Sequence, residues 1–348
     1  MQLREHISLA PFTTFGIGGD ARYFVSAHHD DDVREAVRFA KDKQLPLLVV
    51  GGGSNLLIAD SGFSGLVLHV TSANVSVEER DKAATLIADA GVEWDALVAH
   101  SVTEGLWGLE NLSSIPGKVG ASVVQNIGAY GVEAGNLIAW VEVYNPHTDR
   151  VARLTKEDCR FGYRDSLFKS HQGKELVVLR VAFMLSREGV VNLGYKDLVQ
   201  YDREINKIMS LADARDAVIH IREKKFPELK SVGTAGSFFK NPVVSKEKAE
   251  EFLHTYPHAS SFPQQDGTVK LSAAWIIDNV LHIKGERVGD VGAWGAQALV
   301  LVNYGHATAY DVASYANTII EKCFTSTGIQ LEPEVVYVGD IAQSKIFL

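Results

Sequence analysis

Cysteine is almost absent from this sequence, since the 348 residues include only Cys159 and Cys323. Two cysteines without close Cys or His neighbours form neither a disulfide framework nor a zinc-ligand pattern. The twelve histidines are scattered and also lack the spacing of metal ligands. We therefore expect two reduced thiols, a cytoplasmic location and no bound metal.

Long apolar runs and an excess of positive charge are missing as well. No uncharged apolar stretch approaches the length that spans a membrane, and the charged start around Arg4 and Glu5 does not resemble a signal peptide. The balance of 34 basic against 43 acidic side chains gives a net charge of −9, which disfavours general binding to nucleic acid or to anionic membranes. We expect a soluble protein with neither of these partners, and a monomer.

The composition indicates a globular protein of more than one domain. Hydrophobic residues make up 46% and charged residues 22% of the chain, which allows a sizeable core. The length predicts two or three domains. Strand and helix patterns divide the chain into residues 1–70, 71–226 and 227–330, and a C-terminal strand within 331–348 is expected to return to the first region.

Capping residues predict where several helices begin and end. Asp31 or Asp32 is the predicted N-cap of the first helix, which carries a periodic apolar face. In the third region, a helix is predicted to start after Ser272 and to stop near Gly285. The last helix is predicted to start after Thr308, and its apolar stripe has the spacing of a core-facing side.

Glycine is plentiful, with 30 residues, and two loops rich in glycine leave their backbone uncovered. The first is residues 51–55 (GGGSN), which follow a predicted strand, and the second spans residues 111–135, where no periodicity is present. For either loop alone a tight turn is the simpler interpretation, because glycine mostly serves backbone geometry. Together, their successive exposed amides predict one extended ligand with a diphosphate that lies along both loops.

Two familiar nucleotide-binding motifs fail because of their context. Residues 16–21 fit the GxGxxA dinucleotide pattern, but the strand-like residues 22–25 follow them where a helix N-terminus is required. Gly117-Lys118 resembles the end of a P-loop, yet Val119 stands where a hydroxyl residue should bind Mg²⁺. The sequence therefore predicts neither a Rossmann site nor an ATPase.

The remaining pattern resembles the family of UDP-N-acetylenolpyruvoylglucosamine reductases, also called UDP-N-acetylmuramate dehydrogenases. The most specific stretches are residues 163–166 (YRDS) and 236–242 (GSFFKNP). Residues 194–198 (GYKDL) resemble the tyrosine loop of the family's first structural type, whereas Val123 replaces a proline that the family often has. Further matching stretches extend the resemblance over essentially the whole chain: 14–17, 51–55, 108–131, 159–166, 297–301 and 331–335.

The resemblance implies an α+β architecture. This is a vanillyl-alcohol-oxidase-type FAD-binding fold of two α/β domains plus a C-terminal α+β substrate domain. The two FAD-binding subdomains would be residues 1–70, joined by the C-terminal strand within 331–348, and residues 71–226. Residues 227–330 would form the substrate domain.

The resemblance also implies a cytoplasmic enzyme of peptidoglycan precursor synthesis, and hence of cell-wall biogenesis, cell shape and cell division. Its reaction would be the reduction of the enolpyruvyl ether of UDP-N-acetylglucosamine to UDP-N-acetylmuramate. FAD would be the cofactor, and NADPH the co-substrate that donates the hydride. NADPH and the UDP-sugar would use one pocket in turn.

Three residues would carry the chemistry by resemblance. Hydride addition at the enolpyruvyl C3 places negative charge at C2 and in the substrate carboxylate. Arg164 and Glu334 would lie at that carboxylate, where an arginine fork fits and where the glutamate must be protonated or shared with Arg164. Ser237 would donate the proton to C2. For each residue alone a structural role is the simpler interpretation, and their place in family motifs favours catalysis.

The resemblance assigns binding residues to the two loops and to a basic cluster before Pro227. In that cluster Lys225 would reach the diphosphate or NADPH. The helix dipole also stabilises cations at a helix C-terminus without any ligand. The residues expected at FAD are Gly51, Gly52, Gly53, Ser54, Asn55, Asn111, Pro116, Gly117, Gly120, Ser122, Gln125, Asn126, Gly128, Ala129 and Tyr130. Those expected at the substrate are Tyr163, Tyr195, Arg222, Lys225, Asn241 and Gln297.

Two alternatives remain open at the level of sequence. One is another flavin oxidoreductase of the same fold, such as an oxidase of an alcohol or sugar, in which FAD is often tethered to histidine or cysteine. The other is a nucleotide-sugar-binding protein without turnover. Covalently bound flavin would favour the oxidase, and a colourless pure protein would favour the binding protein.

Overall fold

Eight α-helices lie within residues 1–205 and 207–341, the part of the chain that the computed structural model describes. They are α1 (Asp30–Asp42), α2 (Trp94–Thr103), α3 (Val119–Ser122), α4 (Lys196–Ile205), α5 (Leu211–Lys225), α6 (Lys246–Thr255), α7 (Ala273–Asn279) and α8 (Ala309–Thr327). Short 3-10 turns occur at Ala10–Phe12, Glu110–Leu112, Ala134–Asn136 and Leu167–Lys169. Along the sequence, the second and third of these turns lie at the two ends of the glycine-rich loop of residues 111–135, and the fourth follows the motif of residues 163–166.

Twenty strands accompany these helices in the same described residues. They are β1 (Leu3–Ser8), β2 (Asp20–Ala27), β3 (Leu47–Val50), β4 (Leu56–Ile58), β5 (Phe63–Val70), β6 (Val75–Arg80), β7 (Ala83–Asp89), β8 (Gly128–Ala129), β9 (Val132–Glu133), β10 (Ile138–Asn145), β11 (Arg150–Thr155), β12 (Val177–Ser186), β13 (Gly233–Ser237), β14 (Val243–Val244), β15 (Ser261–Pro263), β16 (Val269–Leu271), β17 (Arg287–Val288), β18 (Val291–Trp294), β19 (Gln297–Asn303) and β20 (Val336–Val338).

Helix boundaries differ from two of the three predictions. The predicted cap at Asp31 or Asp32 is wrong, because α1 begins at Asp30 with His29 as its N-cap. The Asp32 carboxylate instead reaches back from the first turn and accepts the amide of His29 at 3.2 Å. Helix α7 ends at Asn279 rather than near Gly285. The cap at Thr308 is confirmed, since its side chain accepts the Asp311 amide.

Two compact units divide the chain, each made of several segments. Unit 1 comprises residues 1–7, 21–52 and 64–224, and unit 2 comprises residues 8–20, 53–63 and the chain from residue 225 onward. These bounds differ from those of the three predicted domains, and the three-domain division stays a prediction.

Unit 1 contains two larger sheets, of strand order β1-β2-β5-β3 and β11-β10-β12-β7-β6. The second is antiparallel throughout. Its core includes Trp94 of α2, whose ring lies edge-on to Phe183 of β12 with centroids 5.7 Å apart. The buried Trp94 indole also donates to the Leu112 carbonyl at 2.8 Å. This anchor fixes the segment that leads into the predicted flavin loop.

Unit 2 contains an antiparallel sheet of order β13-β19-β18-β17, a small sheet β14-β16-β15 and the parallel pair β20-β4. In its core, α7 packs against β19 and α8 packs against β18. Strand β20 lies within the predicted C-terminal segment 331–348 and pairs Val336 with Leu56 of β4. Residues 342–348 of that segment lie outside the described residues.

Both cysteines are buried and free, Cys159 in the core of unit 1 and Cys323 in the core of unit 2. Burial raises the pKa of Cys159 to about 12 and that of Cys323 to about 11, so neither thiol is activated. In residues 1–205 and 207–341 no helix is long and apolar enough to cross a membrane. The same residues contain no group of His, Cys, Asp and Glu that could hold a metal ion.

Candidate active site

Gly51 and Gly52, at the start of the first glycine-rich loop, meet the second loop within unit 1. A Cβ built on Gly52 would lie 2.7 Å from the Cα of Gly117, and one on Gly51 would lie 3.2 Å from the Cβ of Lys118. Gly52 is therefore required by the close approach of two backbones. Contact between the loops is consistent with the prediction that one ligand lies along both of them.

Left-handed backbone is concentrated in the second loop and in the segment that carries Arg164. Five residues other than glycine have positive φ there: Ser114 (59°), Asn126 (47°), Tyr130 (47°), Arg160 (48°) and Arg164 (54°). Each such residue costs on the order of 1–2 kcal/mol, so the surrounding hydrogen bonds must hold it in place. Clusters of this kind occur at ligand sites, where the backbone is fixed before the ligand binds.

Arg164 lies in a tight turn of unit 1. The amide of Gly162 donates to the carbonyl of Asp165 at 3.0 Å, and the reverse bond measures 3.2 Å. The guanidinium donates to the Gly128 carbonyl at 2.9 Å, and the Lys169 ammonium donates to the Arg164 carbonyl at 2.8 Å. The turn thus directs the Arg164 side chain to the second glycine-rich loop. Lys169 was not predicted as a site residue.

Asn126 organises the backbone around this turn. Its side chain is buried and donates to the Gly162 carbonyl and to the Glu133 carboxylate, each at 2.9 Å. Its Oδ1 accepts the Gly135 amide at 2.7 Å. These three hydrogen bonds tie the loop at Asn126 to Glu133, Gly135 and Gly162. They favour a role in holding the loop over the direct contact with FAD that was predicted.

Asn111 is fully buried and joins two segments of unit 1. Its Nδ2 donates to the Tyr130 and Asn192 carbonyls, both at 3.0 Å. Its Oδ1 is buried and has no hydrogen-bond partner among the described residues. A buried acceptor in that state costs free energy. It is therefore suited to a ligand that brings a donor.

Tyr130 connects the loop to the tyrosine segment and to the basic cluster. Its ring lies edge-on to Tyr195 with centroids 5.2 Å apart, and its hydroxyl bonds the Arg222 guanidinium. Burial raises the pKa of Tyr130 to about 12. Burial also lowers the pKa of Arg222, whose Nε donates to the Ser114 carbonyl at 3.1 Å. Arg222 is thus bound to the protein on two sides.

The remaining loop residues of unit 1 have mixed environments. The Ser122 hydroxyl donates to the Val119 carbonyl at 2.7 Å within its own helix. A Cβ on Gly120 would lie 2.6 Å from the Cβ of Ala90, so that glycine is needed for packing. Three others lie at least partly open to the surface: Pro116, Gln125 and Ala129.

Ser237 is the last residue of β13 in unit 2. It pairs with Val300 of β19 after a register shift that follows Thr234, and Gly236 before it has φ 75°. A left-handed conformation at that position favours glycine. The shift and the glycine together set the direction in which the half-buried Ser237 leaves the sheet.

Glu334 is held beside Ser237 by backbone pairing within unit 2. Its amide donates to the Phe238 carbonyl at 2.7 Å, and its carbonyl accepts the Asn55 side chain at 3.1 Å. Phe239 forms an isolated antiparallel bridge with Pro333. The structure therefore brings Ser237, Glu334 and Asn55 to one place in unit 2, while Arg164 lies in unit 1.

The other predicted residues of unit 2 are more dispersed along its elements. The Asn241 side chain accepts the Ala273 amide at 3.0 Å and so binds the start of α7. Gln297 begins β19, and Lys225 ends α5; both are half-buried. A Cβ on Gly53 would lie 1.9 Å from the Phe12 carbonyl oxygen, so its φ of 60° and its packing both require glycine.

One histidine was missed by sequence reasoning. The ring of His69 in β5 donates a hydrogen bond to the backbone of Gly51, the first residue of the first loop. Burial lowers the pKa of His69, and the positive charges of Lys118 and Arg4 lower it further. A neutral imidazole therefore supports the loop at neutral pH. A lone histidine in a strand carries no sequence signal for this role.

The loops of unit 1 fit FAD in two respects. The approach of Gly52 to Gly117 leaves backbone amides close together, which suits the oxygens of a diphosphate. The buried Asn111 Oδ1 offers an acceptor for a hydroxyl or N–H donor, and FAD has both. Residue types and local geometry are thus compatible with the predicted cofactor.

Comparison with known proteins gives the family. Residues 21–154 match a model of the FAD binding domain, and residues 227–338 match the C-terminal domain of UDP-N-acetylenolpyruvoylglucosamine reductase. The reductase of that name from Neisseria gonorrhoeae is 42% identical over 335 residues, which is 95% of this chain and 96% of the relative. The one from Pseudomonas putida is 42% identical over 337 residues, or 96% and 98% of the two chains.

Solved structures give the fold. The crystal structure of UDP-N-acetylenolpyruvylglucosamine reductase from Thermus caldophilus has a TM-score of 0.68 at 23% identity and covers 97% of this chain and 100% of that one. A solvent-stable cholesterol oxidase has a TM-score of 0.50 at 12% identity, with 95% and 86% covered. The predicted FAD-binding fold of mixed α and β content is confirmed. The chain belongs to the UDP-N-acetylenolpyruvoylglucosamine reductase family.

Proposed function

We propose that this chain catalyses the NADPH-dependent reduction of the enolpyruvyl ether of UDP-N-acetylglucosamine to UDP-N-acetylmuramate, a step of peptidoglycan precursor synthesis. As a member of its family the chain is an FAD-dependent oxidoreductase. The observation that supports the specific reaction is 42% identity to reductases of that name over nearly the full length of both chains.

FAD, when bound, supplies the hydride chemistry by accepting a hydride from NADPH and transferring it to the enolpyruvyl C3. Residues 51–55 and 111–130 would hold the cofactor mainly through backbone amides. Asn111 would add its buried Oδ1 as an acceptor. Asn126 would act indirectly, because its three hydrogen bonds to Glu133, Gly135 and Gly162 maintain the loop.

Arg164 would bind the substrate carboxylate, into which negative charge spreads after hydride transfer. A guanidinium presents two parallel donors that match a carboxylate, and the charge-assisted bonds strengthen as the negative charge grows. The tight turn and the bond to Gly128 support a fixed position for this side chain.

Ser237 would donate its hydroxyl proton to C2. A serine is a weak acid, but the carbanion-like intermediate is strongly basic, so the position of the donor matters more than its acidity. Glu334 would share the substrate carboxylate with Arg164, and it must then be protonated or paired with that arginine. The pairing of Glu334 with Phe238, next to Ser237, is the geometric support within unit 2.

The UDP-sugar would be bound by residues from the tyrosine segment, the end of α5 and the substrate domain. Tyr195 would cover the substrate, since its ring is partly exposed and already contacts Tyr130. NADPH and the UDP-sugar would use this pocket in turn. The complete set is Tyr163, Tyr195, Arg222, Lys225, Asn241 and Gln297.

An absorbance experiment on the purified protein tests this function. The protein should be yellow, should release its flavin on denaturation, and should lose its colour when NADPH is added without oxygen. Addition of the enolpyruvyl UDP-sugar should then restore the oxidised spectrum. A flavin that NADPH reduces but that this sugar does not reoxidise would contradict the proposed substrate, and a colourless protein would contradict the proposed cofactor.

A further inference from the structure

Asn55 directly precedes β4 in unit 2, and it contacts the segment that carries Glu334 with two different groups. Its backbone carbonyl accepts the Val336 amide at 2.9 Å, which is the first rung of the parallel β4-β20 pair. Its side-chain Nδ2 donates to the Glu334 carbonyl at 3.1 Å. The side-chain bond therefore reaches Glu334, which lies before the start of β20 and outside the β4-β20 ladder.

The backbone of Glu334 is held from two sides as a result. Its amide donates to the Phe238 carbonyl at 2.7 Å, while its carbonyl accepts from Asn55. The preceding residue, Pro333, has no N–H, so a ladder cannot continue through it on that side. Fixing both the amide and the carbonyl fixes the backbone dihedrals of Glu334. The direction of its Cα–Cβ bond follows from these.

We propose that Asn55 is a positioning residue for Glu334, because one N–H of its side-chain amide donates to the Glu334 carbonyl. The sequence GGGSN predicted a contact of Asn55 with the cofactor, and the positioning of Glu334 is a separate role. In that role Asn55 orients the carboxylate that meets the substrate. This assignment rests on the proposed function, because only a substrate carboxylate gives Glu334 its role.

The two half-reactions separate the two roles of Asn55. Reduction of the flavin by NADPH does not use Glu334, whereas reoxidation by the enolpyruvyl substrate does. Asn55→Ala should therefore slow reoxidation about tenfold relative to the rate at which NADPH reduces the flavin of the same variant. That factor corresponds to the loss of one hydrogen bond of ordinary strength. A displacement of the carboxylate of about 1 Å can cost more than this.

A second variant keeps the shape of the side chain. Asn55→Asp removes the donor and adds a negative charge near Glu334, which disfavours ionisation of that carboxyl. The rate of reoxidation should fall as in Asn55→Ala. The apparent pKa in the pH profile of that rate should be higher than in the wild type. A purely structural defect would slow the reaction without moving that pKa.

Glu332→Gln is the matched control. The exposed side chain of Glu332 pairs with Lys240 at 3.3 Å in the same segment, but it does not bond the backbone of Glu334. An exposed ion pair contributes little to stability. Both half-reactions of this variant should match the wild type.

The measurement is stopped-flow absorbance of the flavin in each direction, with flavin content determined after denaturation. Selective slowing of reoxidation in both Asn55 variants, measured per bound flavin, supports the assignment. Equal slowing of both half-reactions, or wild-type reoxidation in either variant, overturns it. If the wild type itself is not reoxidised by the UDP-sugar, the proposed function fails first.

Discussion

The flavin segment of unit 1 and the Ser237–Glu334 pair of unit 2 are built by different means. In unit 1 the candidate side chains, such as Asn126 and Arg222, bond to protein groups, and the second glycine-rich loop and the Arg164 segment contain five non-glycine residues with left-handed backbone. In unit 2, strand register and backbone pairing position Ser237 and Glu334, whose side chains are half-buried. From this difference we expect cofactor binding in unit 1 to depend on backbone shape, and the chemistry proposed for Ser237 and Glu334 to depend on single side chains.

The largest expected effect comes from a glycine of unit 1. Gly52→Ala places a Cβ 2.7 Å from the Gly117 Cα, and neither backbone can yield without separating the two loops. We expect this variant to be purified with little or no flavin, and hence without activity. The absorbance spectrum of the pure protein measures the flavin content.

Gly51→Ala is the matched control for that loss. Its Cβ would meet side-chain atoms of Lys118 at 3.2 and 3.3 Å, and these can move by a few tenths of an ångström. Flavin content should fall much less than in Gly52→Ala. Equal loss in the two variants, or full flavin in Gly52→Ala, would show that contact of the loops does not control cofactor binding.

Removal of the Ser237 hydroxyl in unit 2 should have the next largest effect, on the rate of flavin reoxidation. Ser237→Ala should retain flavin and reduction by NADPH, and should slow reoxidation by the UDP-sugar at least about 100-fold, the lower end for a positioned general acid. Ser237→Cys retains a proton donor and should be faster than the alanine variant. Wild-type reoxidation in Ser237→Ala, followed by stopped-flow absorbance, would assign the proton to another donor.

Substitution of Tyr195 should weaken the binding of the UDP-sugar and leave reduction of the flavin by NADPH unchanged. Tyr195→Ala removes a ring that packs on Tyr130, and we expect the KM for the UDP-sugar to rise about tenfold, as for the loss of one aromatic contact. Tyr195→Phe keeps the ring and should change the KM much less. Steady-state rates measure the KM, and reduction by NADPH serves as the control. If reduction slows as much as the overall reaction, the substitution has damaged the fold.

The smallest expected effect concerns stability at high pH. Burial raises the pKa of Tyr130 to about 12 from an unfolded value of 10.0, so the folded state retains the proton longer than the unfolded state does. The stabilisation is fully present below pH 10 and is lost as the pH rises to about 12. Tyr130→Phe should reduce this loss by about 2 kcal/mol, measured by urea unfolding at pH 8 and pH 11.5. An unchanged pH dependence would indicate that another tyrosine is responsible.

Much of the fold was predictable because local signals were strong. The strand at residues 47–50 and the cap at Thr308 follow from apolar runs and hydroxyl capping, and both are present. The cap of α1 was not predictable to the residue, because three consecutive aspartates compete and Asp32 acts from inside the first turn. The early end of α7 had no glycine or proline to mark it.

The contacts around the candidate site residues were not predictable from the sequence. Family motifs supplied Arg164, Ser237 and Glu334 as candidates, and their roles stay predictions. The bond from Asn55 to the Glu334 carbonyl joins residues 279 positions apart, and no local pattern in the sequence indicates it. The support of Gly51 by His69 likewise depends on the pairing of β3 with β5.

The identity of the product tests the proposed reaction. The purified flavoprotein is incubated without oxygen with NADPH and the enolpyruvyl ether of UDP-N-acetylglucosamine, and the products are analysed by mass spectrometry. We predict a UDP-sugar heavier than the substrate by two hydrogen atoms, formed in equal amount to the NADPH consumed. An unchanged sugar, or flavin that is reduced by an alcohol or sugar and reoxidised by oxygen, would contradict the account.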